Sequence, residues 1–183
     1  MDQNTAGSDI ERVIATQEQI VARLNELARE IEKDYSGKDL LIIGVLKGAV
    51  MTLSDFALKL NRHIEIDWMA VSSYGSGTKS SGVVRILKDL DRDITNRDVL
   101  IVEDIVDTGL TLAWLKSNLE SRGAKSVEIL TLLRKPEAAK VQVDVKYVGF
   151  DIPPDFVVGY GLDFNEKYRN LDFIGVLAKH MYS

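Results

Sequence analysis

The sequence predicts an α/β protein: a mostly parallel twisted sheet with helices on both faces. Apolar stretches of strand length alternate with stretches of helical period along the 183 residues, which is how βαβ units read. The run Leu40–Leu46 is apolar apart from Gly44, as strands buried on both faces are. A chain of this size also buries roughly 70% of its unfolded surface, enough for one core without staples.

In chain order, Ile20, Leu24, Leu27 and Ile31 mark one face of a helix, and Thr16 and Gln19 ahead of them have capping-box spacing. Asp39 to Val45 reads as a buried strand. Val50, Leu53, Phe56, Ala57 and Leu60 restore the helical period. Ile64 to Val71 reads as a strand in which Ile64, Ile66 and Trp68 alternate with Glu65 and Asp67. Ser72 to Gly82 is rich in Gly and Ser; a long loop inside a compact domain is more often functional than a spacer, so a lid is expected. Val99 to Val102 is a short buried strand. Leu112, Leu115 and Leu119 form the next helix, which Gly123 ends in a left-handed cap. Val127 to Leu133, Tyr147 to Phe150, Phe156 to Val158 and Phe173 to Leu177 are further strands.

Composition removes several classes of function. With 45% hydrophobic and 28% charged residues the chain has an ordinary globular makeup. It has no cysteine, so disulfides, thiolate metal sites and cysteine nucleophiles are excluded. The two histidines, His63 and His180, lie away from the motifs below, which argues against a histidine triad or a zinc site. A net charge of -5 argues against a nucleic-acid surface. No apolar run approaches the roughly 20 residues of a membrane span, and Met1 to Glu11 is polar, without the apolar stretch of a secretory signal. A cytoplasmic protein is expected.

The chemistry concentrates in Val99 to Thr111, VLIVEDIVDTGLT. Four apolar strand residues lead into the carboxylates Glu103 and Asp104, a third at Asp107, and then Thr108-Gly109-Leu110-Thr111 opening a helix. Backbone N–H groups at a helix N-terminus are unpaired and the helix dipole favours an anion there. Thr108 and Thr111 add hydroxyl donors, while Glu103 and Asp104 are suited to a sugar diol or magnesium. An acidic helix cap accounts for one or two carboxylates but not for this set. Neither a Walker P-loop nor a dinucleotide G-x-G-x-x-G occurs.

This segment resembles the phosphoribosyl-pyrophosphate motif of the type I phosphoribosyltransferases. Four further segments resemble the hypoxanthine-guanine branch of that family: Leu46-Lys47-Gly48-Ala49 its pyrophosphate loop, Ser72-Ser73-Tyr74-Gly75 the start of its lid, Leu132 to Pro136 with Val148 to Pro153 its base-recognition region, and Phe156 to Asp163 with Tyr168 to Leu171 its C-terminal hood. The resemblance runs from about Ile10 to the end. It implies one domain over residues 1–183, with a core at about 35–160 and a hood from the N-terminal segment and about 150–183.

It implies purine salvage: transfer of the phosphoribosyl group from phosphoribosyl pyrophosphate to N9 of hypoxanthine or guanine, with magnesium as cofactor. Asp107 is then the general base. Glu103, Asp104, Asp107, Thr108, Gly109, Leu110 and Thr111 bind the ribose and its 5′-phosphate. Lys47, Gly48 and Arg169 bind pyrophosphate, with a non-proline cis bond between Leu46 and Lys47. Lys135, Phe156, Val157 and Asp163 bind the purine, Ser73 and Tyr74 belong to the lid, and Glu103, Asp104 and Asp163 serve magnesium. Arg134 beside Lys135 leaves a one-residue ambiguity. A homodimer or homotetramer is expected. The rival readings are a regulator that senses phosphoribosyl pyrophosphate on the same fold, a transferase for xanthine or another base, and a flavodoxin-like interaction domain.

Overall fold

The structure, a computed structural model, describes residues 7–73 and 84–182. Strands β1 (Ile10–Ala15), β2 (Leu40–Leu46), β3 (Glu65–Ser73), β4 (Val84–Lys88), β5 (Asp98–Val106), β6 (Ser126–Arg134), β7 (Tyr147–Asp151), β8 (Val157–Val158) and β9 (Ile174–Leu177) form two sheets, with helices α1 (Gln17–Asp34), α2 (Val50–Ala57) and α3 (Leu110–Ser121). The larger sheet runs β4-β3-β2-β5-β6-β7 and is parallel except where β4 meets β3. The smaller runs β1-β9-β8, all antiparallel.

Alternation along the central strands sorts the core into two layers. Ile42, Leu100, Val102 and Leu130 pack with Ile20, Leu24, Leu27 and Ile31 of α1 and with Leu53 and Phe56 of α2. Leu41, Ile43, Val99 and Ile101 pack on the other face with Leu112, Leu115 and Leu119 of α3. Helices therefore cover both faces, as the run of apolar residues in β2 requires. Thr16 caps α1 with Gln19 in the reciprocal box expected from their spacing. Gly123, at φ +84°, follows the end of α3 in the left-handed conformation. No described helix is long and apolar enough to cross a membrane.

The strands depart from expectation in five places. Ile64, just ahead of β3, and Trp68 within it pack against the core as expected, but Ile66 is 39% exposed while Asp67 is buried. The Asp67 carboxylate is stable inside because the backbone N–H groups of Asp91 and Arg92 donate to it at 2.8 and 3.0 Å, with Lys88 at 3.6 Å. β5 continues past Val102 to Val106 because β6 keeps supplying ladder partners, up to Val106 opposite Arg134. Ser72 and Ser73 end β3 instead of beginning a loop, and β4 was not read at all. β1 was also missed; it finds its partner in β9 at the far end of the chain.

Candidate active site

The site grows from the tail of β5. β2 accompanies β5 only as far as Gly44 opposite Val102, so Glu103 to Val106 project beyond it with β6 alone alongside. Asp107 to Gly109 turn the chain, and α3 begins at Leu110 with no side-chain cap on its N-terminus. Gly109 makes the turn possible. Its φ is +80°, and a β-carbon there would collide with the Val141 carbonyl. The Thr108 carbonyl accepts from Lys140 and Val141 N–H at 3.0 and 3.2 Å, which fixes the turn against the following segment. A cleft of about 270 Å³ results, lined by Gly48, Glu103, Asp104, Asp107, Thr108, Gly109 and Thr111 among others. Leu110 is half-buried at the start of the helix.

Glu103 and Asp104 sit half-buried on the cleft floor. Burial lifts the Glu103 carboxyl well above its ordinary range, and the neighbouring Asp104 charge adds to it. Burial also pushes Asp104 up to about 6, against the lowering effect of the Ile105 N–H, which donates to it at 2.6 Å. Two adjacent carboxylates that resist ionisation together are a donor set for a hard cation: a cation here relieves both desolvation and mutual repulsion.

A second wall comes from the loop after β2 and from the turn after β8. The Leu46–Lys47 peptide is cis, as the resemblance implied. Gly48 packs under the Asp104 carboxylate so closely that a β-carbon would overlap it. Gly161, at φ +101°, lies in turn against the Gly48 carbonyl. Arg169 donates to the Gly161 carbonyl at 2.7 Å and pairs with Asp163 at 2.9 Å. The Glu166 N–H donates to Asp163 at 2.9 Å, and the Glu166 carboxylate reaches Lys47 at 3.1 Å and Arg169 at 3.4 Å. Lys47 is the first cause of a Glu166 carboxyl held below its usual range. Among the described residues no three acidic or imidazole side chains converge as a metal cage. Glu103 and Asp104 stand side by side, and Asp163 is engaged separately by Arg169.

Lys135 lines an adjoining hollow that shares Val106 and Asp107 with the cleft. It is 9% exposed, its ammonium 3.7 Å from the Asp107 carboxylate, which is open to solvent. Arg134 lines the same hollow but is engaged in a two-pronged pair with Asp151 at 2.6 and 2.9 Å. Phe156 precedes β8 and is 41% exposed. Its ring meets Phe164 edge-on at 5.8 Å and Tyr182 tilted at 5.3 Å. Val157 is buried in β8, opposite Val176. Ser73 is the last residue of β3; Tyr74 lies outside the described residues.

Residues 13–165 match the model of the phosphoribosyl transferase domain. Hypoxanthine-guanine phosphoribosyltransferase of Mycobacterium tuberculosis is 58% identical over 180 residues, 95% of this chain and 89% of that protein. The chain belongs to the hypoxanthine-guanine phosphoribosyltransferase family. The enzyme of that name from Streptococcus thermophilus is 49% identical, covering 96% of this chain and 97% of its own. In structure, a hypoxanthine phosphoribosyltransferase from Staphylococcus aureus superposes with a TM-score of 0.95 at 48% identity, over 99% of this chain and 98% of that one.

Within this phosphoribosyltransferase, the sequence overlooked Glu166, Phe164 and Tyr182. Nothing local distinguishes an exposed glutamate in a polar turn. Tyr182 carried a faint signal as a large ring close behind Lys179 and His180, left 42% exposed.

Proposed function

We propose that this protein salvages purines by transferring the 5-phosphoribosyl group of phosphoribosyl pyrophosphate to N9 of hypoxanthine or guanine. The observation that carries the reading is one continuous segment, Glu103 to Thr111, that presents paired carboxylates, a further carboxylate and an uncapped helix N-terminus to one cleft. In the reaction the bond from ribose C1 to the pyrophosphate oxygen breaks and the bond to N9 forms, so positive charge develops on the sugar and negative charge on the leaving group.

Each wall answers one need. The N-terminal N–H groups of α3, with the Thr108 and Thr111 hydroxyls, receive the 5′-phosphate. Glu103 and Asp104 accept hydrogen bonds from the ribose hydroxyls. Lys47, the Gly48 backbone and Arg169 receive pyrophosphate. Asp107 accepts the proton that the purine imidazole ring gives up, a role that typically contributes about 10²–10⁴-fold. Lys135 beside it donates to the exocyclic oxygen of the base, Phe156 offers its exposed ring as a stacking face, and the Val157 backbone reads the base edge. Ser73 and Tyr74 belong to a lid that shields the reacting carbon from water.

Family members use magnesium with phosphoribosyl pyrophosphate, and the residues fit that ion. Glu103 and Asp104 would hold one magnesium and Asp163 a second, each sharing it with substrate phosphates, as is usual for magnesium. When bound it would supply positive charge to offset the negative charge of the leaving pyrophosphate. The working form is a homodimer or homotetramer, which light scattering on the purified protein tests. The reaction is tested by following absorbance with hypoxanthine, guanine, xanthine and adenine in turn, each with phosphoribosyl pyrophosphate and magnesium. No turnover of hypoxanthine or guanine would sink the reading, and binding of phosphoribosyl pyrophosphate without turnover of any base would point to the sensing regulator.

A further inference from the structure

Glu166 has one carboxylate oxygen shared between two cations, Lys47 at 3.1 Å and Arg169 at 3.4 Å. The cations come from different parts of the chain, the loop after β2 and the turn after β8. They are also the two side chains assigned above to pyrophosphate. We propose that Glu166 is an internal competitor of pyrophosphate, whose carboxylate holds Lys47 and Arg169 in the free enzyme, yields them when the diphosphate enters and reclaims them as it leaves. The inference rests on the assignment of Lys47 and Arg169 to pyrophosphate.

Three features suit Glu166 to exchange. Lys47 and Glu166 are both mostly exposed, with 67% and 65% of their side chains accessible, so water and an incoming anion reach the pair directly. Such a pair is weak enough to open readily and is screened by salt. Arg169, by contrast, is anchored independently of Glu166, through the Gly161 carbonyl at 2.7 Å and Asp163 at 2.9 Å. Opening the Glu166 contact therefore leaves the guanidinium in place to meet the diphosphate. A competitor of this kind weakens the ground-state grip on the product, and product release is a common limit on turnover.

The test is Glu166→Gln, which keeps the side chain's length and removes its charge. In the forward reaction with hypoxanthine, the inhibition constant of magnesium pyrophosphate should fall roughly two- to fivefold, the range set by one exposed ion pair. The KM for phosphoribosyl pyrophosphate should fall in parallel while the KM for hypoxanthine stays put. At molar salt the two enzymes should converge. Glu166→Ala should move pyrophosphate inhibition in the same direction. A merely structural glutamate would instead lower turnover and melting temperature and leave pyrophosphate inhibition unchanged or weaker, which overturns the proposal. Lys47→Ala separates the two levels. If it leaves pyrophosphate inhibition unaltered, the assignment of Lys47 fails and the proposal with it. If it weakens inhibition while Glu166→Gln does nothing, only the competitor role is lost.

Discussion

Replacing Asp104 by Asn should make the ligand-free enzyme more stable, at the expense of its reaction. Burial raises the Asp104 carboxyl from its ordinary 3.8 to about 6. A carboxyl raised on folding binds its proton more tightly in the folded state. Its favourable contribution is complete below 3.8 and is lost as pH climbs through 6. Above pH 7 the folded protein carries the full cost of an ionised, desolvated Asp104. Two pKa units correspond to about 3 kcal/mol. Asn keeps an acceptor for the Ile105 N–H, which now donates to Asp104 at 2.6 Å, and carries no charge to desolvate. It also removes the neighbouring charge that helps to raise Glu103.

Asp104→Asn should therefore gain about 2–3 kcal/mol at pH 8, or roughly 4–12 °C in Tm for a domain of this size. The gain should shrink steadily below pH 6 and largely vanish by pH 4. Thermal unfolding from pH 4 to 8, without magnesium or substrate, measures it. Magnesium with phosphoribosyl pyrophosphate should raise the Tm of the wild type by more than that of the variant. A variant that is no more stable than wild type at pH 8, or equally favoured at pH 4, would show that the pair is not held under electrostatic tension.

Three further outcomes are expected. Asp107→Asn should lower kcat by about 10²–10⁴-fold with phosphoribosyl pyrophosphate affinity nearly intact, read by steady-state kinetics and calorimetry; collapse of affinity with unchanged turnover would make Asp107 structural. Lys135→Ala should lower kcat/KM for hypoxanthine and guanine by about tenfold to a hundredfold and narrow the gap to adenine, because it removes the donor proposed for the base oxygen; parallel assays of the three bases decide it. Gly161→Ala should cost at least about 1–3 kcal/mol in denaturant unfolding, since its φ is +101° and a β-carbon would meet the Gly48 carbonyl; wild-type stability would mean that the turn relaxes freely.

What was legible in the sequence was whatever neighbouring residues decide among themselves. The Thr16 and Gln19 cap closes across three positions, and the faces of α1 and α3 follow from period alone. What stayed hidden depends on distant partners. Asp67 reads as a surface residue until the backbone of Asp91, 24 positions on, is folded beside it. The length of β5 is set by β6, not by its own composition, so Glu103 and Asp104 lie within a strand that appeared to end before them. Arg134 and Lys135 are indistinguishable in a row of letters; Asp151 engages one and Asp107 lies near the other. The bond from Lys47 to Glu166 spans 119 positions, and nothing in the turn around Glu166 announces it.

The smaller sheet has a consequence for how the molecule is made. β1, near the start of the chain, has β9 as its ladder partner, with Ile10 opposite Leu177, and β9 also pairs with β8. On the ribosome β1 is made long before β9, and its backbone groups are served only by water until that strand follows. The six-stranded sheet draws on residues 40–151 and can assemble during that interval. Phe156 is different, because its carbonyl accepts from the Leu177 N–H and its ring leans on Tyr182. A chain interrupted before β9 would keep the six-stranded sheet yet leave β1 and β8 without their ladder partner, with unsatisfied strand edges exposed for other nascent chains to pair with.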